Sequence, residues 1–195
     1  MKHLKSEISL GQQLKISAWY IFGFVLVIWG VELVNLLLGH RLNSLGILPR
    51  SLAGVPGILL APFLHYGIGH VLLNTIPFVI LGWLVILYGP RVFVEASLLI
   101  ILVSGVGVWL VGRSGYHVGA SGLIFGYFGF LVARGWYERS LSSIVIAVIS
   151  ILLYGGLLWG VLPSRPGVSW ETHLLGLLAG ILAARLVSSE DHPAP

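Results

Sequence analysis

Gly119-Ala120-Ser121-Gly122-Leu123-Ile124-Phe125-Gly126 puts a serine between glycines at the head of an apolar run with no charge before Arg134. A hydroxyl in such surroundings is informative only if the surroundings are lipid, and the rest of the chain says that they are. Of 195 residues, 57% are hydrophobic and 9% charged, with a mean hydropathy of +0.98. Soluble domains carry about 25% charged residues. The chain therefore reads as an all-α polytopic membrane protein. Crossing a hydrocarbon core of about 30 Å takes about 20 helical residues, and six runs qualify: Ile16–Leu38, His65–Tyr88, Val92–Val111, Ser121–Ala133, Ser142–Leu162 and Thr172–Val187. The fourth is short and is expected at the centre of a six-helix bundle.

One membrane domain over residues 1–195 accounts for the whole chain. The basic stretch 1–15 is expected to be cytoplasmic, and it leads into an anchor rather than a cleavable signal, because the first apolar run is long enough to span and stay. Residues 39–64 form the only long connection, an outer loop interrupted by Pro49, Pro56 and Pro62; residues 188–195 are a polar tail. With both termini inside, seven Lys and Arg (Lys2, Lys5, Lys15, Arg91, Arg134, Arg139, Arg185) lie on the cytoplasmic side and four (Arg41, Arg50, Arg113, Arg165) outside. That bias favours this orientation, and a bacterial inner membrane is the expected location. It also explains the net charge of +4 without nucleic acid. The chain has no cysteine, so thiol chemistry is excluded.

In this topology the second, fourth and sixth spans run inward from the outer face. Their first turns hold the polar residues that need a reason: His65, His70 and Asn74, then Ser121, then His173. From Ser121 to Arg134 is about 20 Å at 1.5 Å per residue. If Arg134 marks the inner boundary, the fourth helix begins about 10 Å below the outer surface. Non-helical backbone at that depth is tolerated only where protein buries it or water reaches it.

Serine becomes a nucleophile when a base takes its proton, and histidine is the usual base. Ser121 and His173 supply such a pair. Glu171, two residues before His173, faces nearly the opposite way, and Glu32 on the first span has no visible route to the site, so a dyad is expected. His70 and Asn74 are four apart and project from one helix face; with the Ser121 N–H they are candidates to stabilise an oxyanion. Gly122 and Gly126, like Gly176 and Gly180, have the G-x-x-x-G spacing that lets membrane helices touch backbone to backbone. Phe125, one turn after Ser121, is placed to pack on the imidazole. Each feature has a plainer reading: glycine and serine are ordinary helix-contact residues, and His70 alone would serve to hold helices together. His65 reads as interfacial, and His3, His40, His117 and His192 as solvated ends or loops.

Three ordered signatures, His65-x4-His70-x3-Asn74, Gly119-Ala120-Ser121-Gly122 and His173-x2-Gly176-x3-Gly180, resemble the rhomboid intramembrane serine proteases in their minimal six-helix bacterial form. The resemblance implies Ser121 as nucleophile, His173 as general base, and His70 and Asn74 at the oxyanion. It implies hydrolysis of peptide bonds in or near transmembrane helices of membrane-protein substrates, through an acyl-enzyme and without metal or cofactor. The partners are then those substrates and the bilayer, with no nucleic acid; oligomeric state is not in the sequence. Two departures stand out: no Trp-Arg pair occurs between Gly39 and Leu64, and Phe125 replaces a tyrosine of some members. The competing reading is a non-catalytic chaperone or trafficking factor that binds transmembrane helices on the same scaffold. A transporter is disfavoured by the lack of an inverted repeat; a haem protein with His70 and His173 as axial ligands is a more distant option.

Overall fold

A computed structural model describes residues 9–163 and 167–187. The basic residues Lys2 and Lys5, Arg165, His3, His192 and the tail 188–195 lie outside the described residues. Helix α1 covers Leu10–Leu37, α2 Gly57–Leu60, α3 Ile68–Ile86, α4 Pro90–Val111, α5 Ser121–Glu138, α6 Leu141–Tyr154 and α7 Trp170–Leu186. Among the described residues there is no strand, only an isolated antiparallel bridge between Ile47 and His117. Four helical segments among the described residues are long and apolar enough to cross a membrane: Gly11–Leu37, Ile68–Ile86, Pro90–Val111 and Leu141–Val161, the last being α6 with the 3-10 turn Gly155–Val161. Large apolar side chains such as Leu37, Leu152 and Trp19 stand 86%, 78% and 78% exposed, a surface that only lipid would cover. The protein is an integral membrane protein.

Local chemistry sets the helix ends. Ser9 and Gln12 make a capping box at the start of α1. Pro90 opens α4, where its missing N–H costs nothing, and Ser140 caps α6 by accepting the Ser143 N–H at 3.1 Å.

All six apolar runs are helical, but the fourth is not short. Helix α5 has 18 residues, of which 13 are buried, and it occupies the middle of the bundle. Arg134 does not mark a boundary: it is 6% exposed, pairs with Glu138 at 3.1 Å, donates to the Ala184 carbonyl at 3.4 Å and lies over the rings of Tyr88 and Phe130. A charge reports the interface only when water solvates it, and here protein does so. The 17 steps from Ser121 to Glu138 give about 26 Å, so the depth inferred for the serine from Arg134 shrinks.

Helices α5 and α7 meet at their backbones. A Cβ on Gly176 would collide with the carbonyl of Gly122, and one on Gly180 with the carbonyl of Gly126. The expected face-to-face pairing is only half of what occurs, since Gly126 itself makes room for Ile100 on α4.

Residues 39–64 fold into a series of short helical turns. Gly57 packs on the backbone of Gly46 and Ile47, and Ile58 abuts Gly105 of α4. From this platform Ile47 exchanges two backbone hydrogen bonds with His117, and the Ala61 carbonyl accepts the Gly119 N–H at 2.8 Å. The non-helical segment ahead of Ser121 is thus sheltered by protein, which is the condition for irregular backbone in a membrane.

Candidate active site

Ser121 is the first residue of α5, so its N–H has no acceptor within the helix. Its side chain lines a cavity of about 410 Å³ together with His70, Asn74, Phe125 and His173. Three helices supply these groups: α3 carries His70 and Asn74, α5 carries Ser121 and Phe125, and α7 carries His173.

The two histidines are held in complementary tautomers by backbone contacts. His173 Nδ1 lies 2.9 Å from the Gly160 carbonyl oxygen. A carbonyl only accepts, so Nδ1 of the neutral ring carries the proton and Nε2 keeps a lone pair. His70 is the reverse: its Nδ1 accepts the Tyr66 N–H at 3.3 Å, which leaves the proton on Nε2. One ring is ready to take a proton and the other to donate a hydrogen bond. Asn74 spends one N–H on the His70 carbonyl at 2.9 Å and retains the second.

Gly119 explains how these donors come close to the serine. Its φ of +118° lies where side chains are rarely tolerated. A Cβ there would stand 2.9 Å from His70 Cε1, 3.0 Å from His70 Nε2 and 3.9 Å from Asn74 Nδ2. Phe125 stacks on His173 with ring centroids 4.1 Å apart and planes 8° from parallel. Among the described residues no hydrogen bond joins Ser121 to His173; such bonds often tighten only when substrate is bound.

Several residues escaped the sequence reading. Gly160 contributes a carbonyl and no side chain, and nothing in the sequence marks it. His65 is not interfacial but fully buried, edge-on to His70 at 5.0 Å, with Nε2 accepting the Ala120 N–H at 3.4 Å. Its own carbonyl accepts from Asn35 at 3.2 Å and Asn43 at 3.1 Å. Asn35 also reaches Glu32 at 3.5 Å, so the fully buried Glu32 does have a route to the segment that ends at Ser121. The signal was available: Glu32 and Asn35, three apart on an apolar helix, are the kind of costly pair that needs a reason. His117 is 5% exposed rather than solvated, and it bonds Ser169 across the cavity wall. Glu171 pairs with Arg113 at 3.3 Å. Among the described residues no cluster of three potential metal ligands occurs.

Comparison with known proteins adds the following. Residues 54–190 match the family model described as Rhomboid domain, a span that contains every cavity residue named above. An uncharacterized protein of Mycobacterium tuberculosis (strain ATCC 25618 / H37Rv) is 41% identical over 183 residues, covering 89% of this chain and 76% of that protein. An uncharacterized protein of Mycobacterium bovis shows the same identity and coverage. One of Mycobacterium leprae is 36% identical over 180 residues, 88% of this chain and 71% of its own length.

Proposed function

The chain belongs to the rhomboid family, and from that premise we propose that it is an intramembrane serine endopeptidase, a hydrolase that cuts peptide bonds in or near transmembrane helices of other membrane proteins. All six long helices cross the bilayer in this reading, with both termini cytoplasmic in a bacterial inner membrane and the cavity open to the outer side.

Ser121 is the nucleophile and His173 the general base. Nε2 of His173 takes the Ser121 proton as Oγ attacks the scissile carbonyl, then returns it to the departing amine; water repeats the sequence on the acyl-enzyme. The carbonyl oxygen, as it becomes an anion, receives hydrogen bonds from His70 Nε2–H, the free N–H of Asn74 and the Ser121 N–H. Loss of one such donor typically costs about 2.7–4 kcal/mol of barrier stabilisation. The observation that carries the reading is the opposed pair of tautomers: a base needs Nε2 bare on His173 and an oxyanion donor needs Nε2–H on His70, and backbone contacts impose both.

The test is labelling of purified protein with a fluorophosphonate probe. Wild type should label, with Ser121→Ala and His173→Ala both silent. Equal signal in all three, or none in any, would sink the hydrolase reading and favour a helix-binding protein without catalysis.

A further inference from the structure

Resting on the hydrolase reading, we propose that His117 and Ser169 are positioning residues: their hydrogen bond clasps the segment leading to Ser121 against the helix that carries His173. His117 Nε2 lies 2.9 Å from the Arg113 carbonyl, so the proton is on Nε2 and Nδ1 accepts. Ser169 Oγ, 2.6 Å from that Nδ1, is therefore the donor.

Each partner is anchored on its own side. His117 exchanges both backbone bonds with Ile47, at 2.9 and 3.0 Å. Ser169 is the N-cap of α7, accepting the Thr172 N–H at 3.4 Å, and its Oγ lies 2.6 Å from Thr172 Oγ1. With its single proton committed to His117, Ser169 accepts from the threonine hydroxyl as well. The Thr172 methyl in turn fills the space that a side chain at Gly122 would need.

The clasp lies four residues before each reacting side chain, His117 before Ser121 and Ser169 before His173. It is buried on the histidine side and lines the same cavity. The parallel contact between these segments, Arg113 with Glu171 and the Val168 carbonyl, has its arginine half exposed and is weakened by solvent. Ser121 and His173 are not bonded to each other at rest, so what sets their separation is the pair of segments that carry them. A misplacement of about 1 Å costs about 100-fold in rate.

The experiment measures two quantities on the full-length protein in micelles: the saturated rate of fluorophosphonate labelling at Ser121, and amide hydrogen exchange. His117→Phe and Ser169→Ala should each slow the saturated rate by about 10- to 100-fold while the half-saturating probe concentration stays unchanged. The double variant should be no slower than the slower single variant, since both remove one bond. His117→Asn, whose amide oxygen stands near the place of Nδ1, should recover most of the rate. In His117→Phe, exchange should quicken in the first turn of α7, on the far side of the clasp. A labelled wild type with His117→Phe at the same rate, additive losses, or unchanged exchange in α7 overturns the proposal. A wild type that does not label at Ser121 refutes the hydrolase reading instead, and the exchange measurement still decides whether the clasp couples the two segments.

Discussion

Gly119→Ala adds one methyl group at the point where His70 and Asn74 converge, and its effect follows from the geometry. The new Cβ would stand 2.9 Å from His70 Cε1. Carbon atoms sit comfortably at about 3.5–4.0 Å, so the imidazole must retreat by about 0.6–1.1 Å, the difference between those figures. A displacement of that size costs about 100-fold when it moves a reacting group, and complete loss of one oxyanion donor costs about 100- to 1,000-fold. The φ of +118° adds backbone strain of about 1–3 kcal/mol, which appears in stability rather than rate. Expected, then, is a fall of about 100-fold in the saturated labelling rate of Ser121, with a modest loss in unfolding midpoint. Because the damage passes through His70, His70→Ala with Gly119→Ala should be no slower than His70→Ala alone. The assay is labelling kinetics on the two single variants and the double, with unfolding monitored in parallel. Wild-type kinetics in Gly119→Ala, or losses that multiply in the double variant, would refute the reasoning.

Phe125→Tyr should keep the stack on His173 and nearly the full rate, whereas Phe125→Ala removes about 0.5–1.5 kcal/mol of ring contact and should slow labelling by about 2- to 10-fold. Gly180→Ala forces α7 away from the Gly126 carbonyl and should cost about 1–3 kcal/mol in denaturant unfolding in mixed micelles. By contrast Gly30→Ala, with nothing within 4 Å, should be neutral or stabilise by about 0.5–1 kcal/mol. Arg134→Ala strands the Glu138 carboxylate beside Ser143 and should destabilise by about 3–5 kcal/mol, with part of the loss recovered when Glu138→Ala is added.

The elements that span lipid were legible because a long apolar run has one physical solution, a helix. Ser121, His70, Asn74 and His173 were legible for the complementary reason, that a polar group in such runs is expensive. What stayed hidden were the backbone hydrogen bonds that orient the site: the Gly160 carbonyl that orients His173, the Tyr66 N–H that orients His70, and the Ile47 bridge to His117. A backbone group is present at every position, so composition says nothing about which one is used. Arg134 misled for a different reason. A single arginine after an apolar run looks like a solvated end; Phe130 and Glu138 flank it one turn to either side, but its solvation is completed by Tyr88 and the Ala184 carbonyl, both remote in sequence. His117 was similarly indistinguishable from a loop histidine until Ser169, 52 positions later, was beside it.

The network Glu32, Asn35, Asn43 and the His65 carbonyl lies wholly within the first third of the chain. On a ribosome feeding a translocon, these residues leave the tunnel before α5 has been made. A carboxylate that would be costly facing lipid therefore meets its asparagine partners early. What this leading part then offers is a finished socket, with His65 Nε2 waiting for the amide of Ala120. The cavity around Ser121 is completed last, when the later helices dock against this earlier part. Severing the polypeptide between the end of α4 and Ser121 should accordingly leave two pieces able to find each other in a bilayer, the earlier acting as template for the later.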